Sequence, residues 1–247
     1  MRVYIPRFYV RDLAANLARM QSDLADAAEQ GCDMAVFPEL FLTGYQGQAD
    51  PVHLRQELAS ASVAYPNMLC VWGAISEDGV NRQLVYKDGH ELAAYDKVHL
   101  FQPNGEHEMW RHGASYTALR SSGWTIGLAT CNDVRFPEQA RALRMKHGAE
   151  LLIYPALWPW ARDHVWAALL KARAIENGVF VIGCCVAGID NGRELFDGAG
   201  NHVFDPLGDE LHPVRRVYTL DRARLNEVLV DTCEQYRDVT DVRLFTE

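Results

Sequence analysis

The chain has 247 residues, 49% apolar and 23% charged, a balance that suits a globular protein with a substantial core. Its formal net charge of −9 argues against nucleic acid or an anionic membrane surface as the main partner. Of its 24 basic residues only those at 87, 97, 146 and 171 are lysines, so a lysine in a special setting stands out. The cysteines (32, 70, 131, 184, 185 and 233) show no CxxC spacing, and no signal-peptide pattern is visible. Free thiols in a reducing cytoplasm are therefore expected. The longest nearly apolar run, VFVIGCCVAGI (179–189), is too short to cross a bilayer and reads as a central strand.

In chain order, Leu13, Leu17, Met20 and Leu24 recur at spacings of three and four, predicting a helix that Gly31 ends. DMAVF (33–37) reads as a buried strand. LCVWGAIS (69–76), QLVYKDG (83–89) and ELAAYDK (91–97) follow as strands, with KDGHE as a hairpin turn. A polar loop spans about 102–115, then WTIGLATC (124–131) reads as a strand with Cys131 closing it. A helix runs from about Pro137 to His147, a strand over 150–156, and a long helix from Arg162 to Asn177 before Gly178. Two or three strands are expected over 179–220, and a helix from near Asp221. With no linker or repeat, 1–247 reads as one domain, its hairpins arguing against a purely parallel doubly wound sheet.

Three reactive side chains sit at strand ends: Glu39 after MAVFP, Lys97 after LAAYD, and Cys131 after TIGLAT. Loops at carboxyl strand ends are where such architectures place chemistry. A thiol is mostly protonated near neutrality and needs a base, which Glu39 can supply. Lys97 and the backbone N–H after the cysteine could meet negative charge that develops on an attacked carbonyl or nitrile. Each residue alone also has an ordinary reading: a core thiol, a turn carboxylate, a solvated lysine. His107 and His112 lack the HExxH spacing of a zinc site, and no metal is expected. Cys184 and Cys185, adjacent on a strand, should point to opposite faces.

VFPELFLTGY (36–45), YDKVHLF (95–101) and CNDVRFPE (131–138) resemble the signature segments of the nitrilase superfamily of carbon–nitrogen hydrolases. The resemblance extends over about 13–211, through the ARAIEN stretch (172–177) and FDPLGDEL (204–211). It implies a four-layer α-β-β-α sandwich, no cofactor, a small-molecule amide substrate, and a homodimer or a multiple of it. It also implies Cys131 as nucleophile, Glu39 as general base and Lys97 as oxyanion stabiliser. A second glutamate lying seven residues before Gly113 would be Glu106, with Glu108 the runner-up. CNDVRFPE is closer to the ω-amidase and deaminated-glutathione-amidase branch than to true nitrilases, and CND also resembles N-carbamoyl-amino-acid amidohydrolases. Substrate contacts are expected from Tyr45, Asn132, Arg135 and Trp158, with Trp160 a further candidate. Arg135 would grip a substrate carboxylate or, alternatively, pair with Asp133 or Glu138. A non-catalytic binding protein is the rival of another class. The chain departs from the pattern in its short first strand and at Asn201, where a serine is common.

Overall fold

The structure is a computed structural model describing residues 1–192, 194–228 and 237. Cys233 lies outside the described residues. The first half supplies β1 (Arg2–Tyr4), β2 (Tyr9–Val10), α1 (Leu13–Glu29), β3 (Met34–Val36), α2 (Pro51–Val63), β4 (Leu69–Glu77), β5 (Val80–Lys87) and β6 (His90–Asp96). A loop carrying the short helix α3 (Glu106–Met109) leads to β7 (Thr117–Ser121), β8 (Trp124–Leu128), α4 (Pro137–His147), β9 (Leu151–Ala156), α5 (Asp163–Asn177) and β10 (Phe180–Cys185). Then come β11 (Gly188–Asp190), β12 (Leu195–Asp197), β13 (His202–Phe204), β14 (Glu210–Leu211) and β15 (Val217–Thr219).

Two six-stranded sheets form, in the orders β15-β1-β3-β4-β5-β6 and β14-β13-β10-β9-β8-β7. Strands β1, β3 and β4 run parallel, as do β8, β9 and β10, while antiparallel strands flank each set. Alternation along each strand builds two apolar layers. Val3, Met34, Val36 and Val71 meet Leu128, Leu151, Ile153 and Ile182 in one core between the sheets. Their neighbours Tyr4, Ala35, Trp72, Leu152 and Tyr154 belong to the second core, beneath the helices. Helices α1 and α2 pack on the first sheet, α4 and α5 on the second. This is the expected α-β-β-α sandwich. Because each sheet is buried on both faces, its strands read as continuous apolar runs. Cys184 faces the other sheet, with Sγ 3.3 Å from the Val36 carbonyl, and Cys185 faces the helices.

Local chemistry explains the helix ends. Asp12 caps α1 by accepting the Ala15 N–H at 2.9 Å. Pro137 opens α4, and Gly148 and Gly178 follow the last residues of α4 and α5 as expected. Several elements differ from the sequence reading. Helix α2 has no counterpart in it, because its buried face is Leu54, Leu58, Ala61 and Ser62, too small and mixed to show an apolar period. Strand β7 extends beyond the polar loop and was also unanticipated. Residues 179–220 hold β10 to β15, not two or three strands, and most are only two or three residues long. The apolar run 179–189 is split between β10 and β11, which lie in different sheets. At Asp221 a 3-10 turn (Arg222–Glu227) forms in place of the expected helix, capped by Asp221 through the Ala223 N–H.

Candidate active site

Strand β3 runs out through Phe37 and Pro38 into a tight turn holding Glu39. Gly73 on β4 makes room for that turn, since a Cβ there would lie 1.9 Å from the Pro38 carbonyl oxygen. The Glu39 carboxylate accepts from Asn81 Nδ2 at 2.8 Å, Lys97 Nζ at 2.9 Å and the Leu157 N–H at 2.9 Å. Lys97 follows β6, and its Nζ also donates to Glu106 at 2.9 Å. Glu106 accepts further from the Tyr45 hydroxyl at 2.7 Å and the Phe101 N–H at 2.8 Å. Glu106, not the exposed Glu108, is thus the second carboxylate on the lysine. At Gly113, seven residues on, an added Cβ would lie 2.0 Å from the Asp96 carbonyl oxygen. The Gly113 N–H donates to the Lys97 carbonyl.

Cys131 does not close β8, which stops at Leu128. It opens a 3-10 turn, Cys131–Arg135, with φ at +47°. A side chain other than glycine is strained there, and such strain persists only where the surroundings impose it. Asp133 is the imposing group. Its carboxylate accepts from the Thr130 N–H at 2.8 Å, the Tyr95 hydroxyl at 2.7 Å and the His99 N–H at 2.9 Å, and lies 2.7 Å from His99 Nδ1. The cysteine turn is therefore pinned to the segment that carries Lys97. Cys131 Sγ lies 3.8 Å from the Leu157 carbonyl, on the same residue whose N–H holds Glu39.

Glu39, Lys97 and Glu106 are all fully buried. Burial pushes the Glu39 carboxyl up; Lys97 opposes the rise and Glu106 adds to it. Burial pushes the Cys131 thiol well up, with Glu39 and Glu106 adding and Lys97 opposing, so the resting sulfur is a neutral thiol near pH 7. Burial works against charge on Lys97, but Glu39 and Glu106 outweigh it and keep the amine protonated. Two of its three N–H donors are taken by carboxylates, leaving one for a ligand.

Cys131 opens on a cleft of about 620 Å³. Tyr45, Asn132, Arg135 and Trp158, the expected substrate contacts, all line it. Asn132 Nδ2 donates to the His99 and Leu100 carbonyls at 3.1 and 3.3 Å. Trp158 stacks on Trp166, and Arg135 lies over its face with Cζ 4.6 Å from the ring centroid. Among the described residues Arg135 forms no ion pair, and Asp133 is engaged elsewhere, so the alternative structural pairing is not formed. Trp160 is corrected: it is 63% exposed and lies away from the cleft. Asn201 is also outside it, tying β10 to the N-terminal segment through Cys185 N (2.8 Å) and Pro6 O (3.0 Å). The sequence reading missed Phe101, Arg162 and the β11–β12 hairpin with Ile189, Glu194 and Phe196, all of which line the cleft. It likewise missed the bracing by Asp133 and by Asn81. Among the described residues no cluster of three His, Cys, Asp or Glu side chains is placed to hold a metal.

Two facing sheets covered by helices, with a thiol, a lysine and two carboxylates gathered at their strand ends, define a nitrilase-type sandwich. The carbon-nitrogen hydrolase family pattern matches residues 3–209, and the chain belongs to that family, whose members hydrolyse non-peptide carbon–nitrogen bonds. It is 34% identical to Omega-amidase YafV of Escherichia coli K12 over 206 residues, covering 80% of this chain and 78% of that one. It is 36% identical over 144 residues to the 2-oxoglutaramate amidase of Paenarthrobacter nicotinovorans, covering 56% and 48% of the two chains. The amidase of Nesterenkonia sp. AN1, in a mutant with acrylamide added at its active-site cysteine, superposes with a TM-score of 0.79. There the identity is 28%, over 92% of this chain and 96% of that one.

Proposed function

We propose that the protein is a cofactor-free thiol amidase that releases ammonia from small ω-amides bearing a free carboxylate. The observation that carries this reading is Lys97 held between two buried carboxylates beside a strained cysteine that opens on a cleft. Cys131 attacks the amide carbonyl while Glu39 takes its proton. Lys97 and the Asn132 N–H, in the first turn of the 3-10 segment, meet the oxyanion. The C–N bond breaks as Glu39 returns the proton to the leaving amine, and ammonia departs. Water, deprotonated by Glu39, then adds to the thioester. Collapse of that adduct expels the sulfur, which regains its proton, and the free acid leaves. Glu106 and Tyr45 keep Lys97 aimed throughout.

Arg135, facing the cleft with no ion-pair partner among the described residues, supports a carboxylate-bearing substrate, as do the relatives named for ω-amide and 2-oxoglutaramate hydrolysis. The same reading takes 1–247 as one catalytic domain, assembled as a homodimer or a multiple of it. Exposed Trp160 and Val214 support assembly. It places the enzyme in the cytoplasm, which the free thiols at 32, 70, 131, 184 and 185 support. The test is ammonia release from α-ketoglutaramate, a carbamoyl amino acid, a neutral amide and a nitrile, with Cys131→Ala as control. Ammonia release by that variant would overturn the mechanism. An Arg135→Ala loss equal for acidic and neutral amides would overturn the substrate class.

A further inference from the structure

We infer that Arg162 is a second guanidinium arm which, with Arg135, clamps the substrate carboxylate. This rests on the amidase reading above and extends it to a residue outside the recognised motifs. Both arginines line the cleft that Cys131 opens on. Among the described residues neither has an ion-pair partner. Each lies on an aromatic face, Arg135 on Trp158 at 4.6 Å and Arg162 on Phe101 at 5.8 Å from Cζ to ring centroid. Stacking fixes the plane of a guanidinium while leaving its edge N–H donors free for a carboxylate.

Trp158 sets both arms. Its face carries Arg135, and its Nε1–H donates to the Arg162 carbonyl at 2.9 Å. The two cations are close enough to repel: Arg135 is held below its ordinary value, first by burial and then by the charge of Arg162. An anion bound between them relieves that repulsion. Glu194, a carboxylate that also lines the cleft, is turned to Asn191 and pairs with neither arginine.

The test is steady-state kinetics of the wild type, Arg162→Ala and Arg162→Lys on succinamate and glutaramate against butyramide and pentanamide. For Arg162→Ala the KM for the acidic amides should rise about tenfold, the worth of one charge-assisted hydrogen bond, with kcat within about twofold. The acid-over-neutral ratio of kcat/KM should fall by the same factor, with Arg162→Lys intermediate. Glutarate, as a competitive inhibitor, should weaken about tenfold in parallel. Equal changes on acidic and neutral amides, or no change, would overturn the clamp. If Arg135→Ala discriminates between the two amide classes and Arg162→Ala does not, the clamp alone fails. If the wild type itself shows no preference for the acidic amides, the underlying substrate reading fails.

Discussion

Replacing Lys97 with Met removes the one cation between Glu39 and Glu106 while nearly keeping the side-chain volume. Both carboxylates are then buried without a counter-charge, and stripping one partner from a buried ion pair costs roughly 3–5 kcal/mol. A fold of typical stability, about 5–15 kcal/mol, survives this. The penalty depends on pH with a definite sign. The Glu39 carboxyl is already raised in the folded protein by burial and by Glu106, with Lys97 opposing, so losing Lys97 raises it further. A carboxyl with a raised folded value takes up a proton readily, which spares the fold at low pH. That relief is lost as the pH climbs through the folded value. Lys97→Met should therefore stand near the wild type on the acid side and fall behind across the window in which the raised carboxyl gives up its proton, until the deficit is the full roughly 3–5 kcal/mol. At about 2–4 °C per kcal/mol this is roughly 6–20 °C in Tm. In the wild type the Lys97 amine stays charged across that window, because its proton is held more tightly in the fold than in the unfolded chain. Thermal denaturation at several pH values, read by far-UV circular dichroism, measures the difference. Parallel Tm–pH curves for the two proteins would refute the argument that this lysine neutralises two buried acids.

Glu39→Gln should slow iodoacetamide alkylation of Cys131 by about a hundredfold at pH 7, since the thiol is neutral at rest and loses its base; in the wild type, mass spectrometry should find it the fastest-labelled thiol. Gly73→Ala should cut amide turnover far more than it lowers Tm, because the added Cβ displaces the Pro38 carbonyl and with it the Glu39 turn; turnover at the wild-type level would count against this. Tyr45→Phe leaves one Glu106 oxygen without its 2.7 Å donor, a loss of roughly 1.5–3 kcal/mol for a bond to a charged group, and kcat should fall while KM holds.

What the sequence made legible follows from how local each signal is. Glu39, Lys97 and Cys131 could be found because each lies beside a strongly apolar strand, inside a contiguous motif. The family resemblance pointed to Glu106, with Glu108 the runner-up, through a spacing to Gly113, and that spacing has a cause: Gly113 must pack against the Asp96 carbonyl, which fixes the length of the loop. Asp133 was invisible in its bracing role because its partners Tyr95 and His99 are more than 30 residues away. Arg162 was hidden because it reads as the start of α5, yet it lies one residue before that helix in a 3-10 turn aimed at the cleft. The exposure of Trp160, two residues from the buried Trp158, turns on the same irregular segment, where no period assigns faces.

On the proposed mechanism, the arrangement also accounts for why a thiol with a raised proton affinity can serve as a nucleophile. Glu39, Lys97 and Glu106 with a neutral Cys131 carry one net negative charge, all of it buried. Ionising the sulfur by release of its proton to water would place a second negative charge in the same volume, a change the low dielectric resists. Passing the proton to Glu39 keeps the net charge constant, and the raised Glu39 value makes that carboxylate a stronger base for the transfer. As Glu39 becomes neutral it loosens its hold on the Lys97 ammonium just when an oxyanion forms. The cation then faces the new charge without having to move, because Glu106 still holds it on the other side. On that mechanism two carboxylates are needed for different reasons: one exchanges the proton, and the other keeps the lysine charged and in place while it does so.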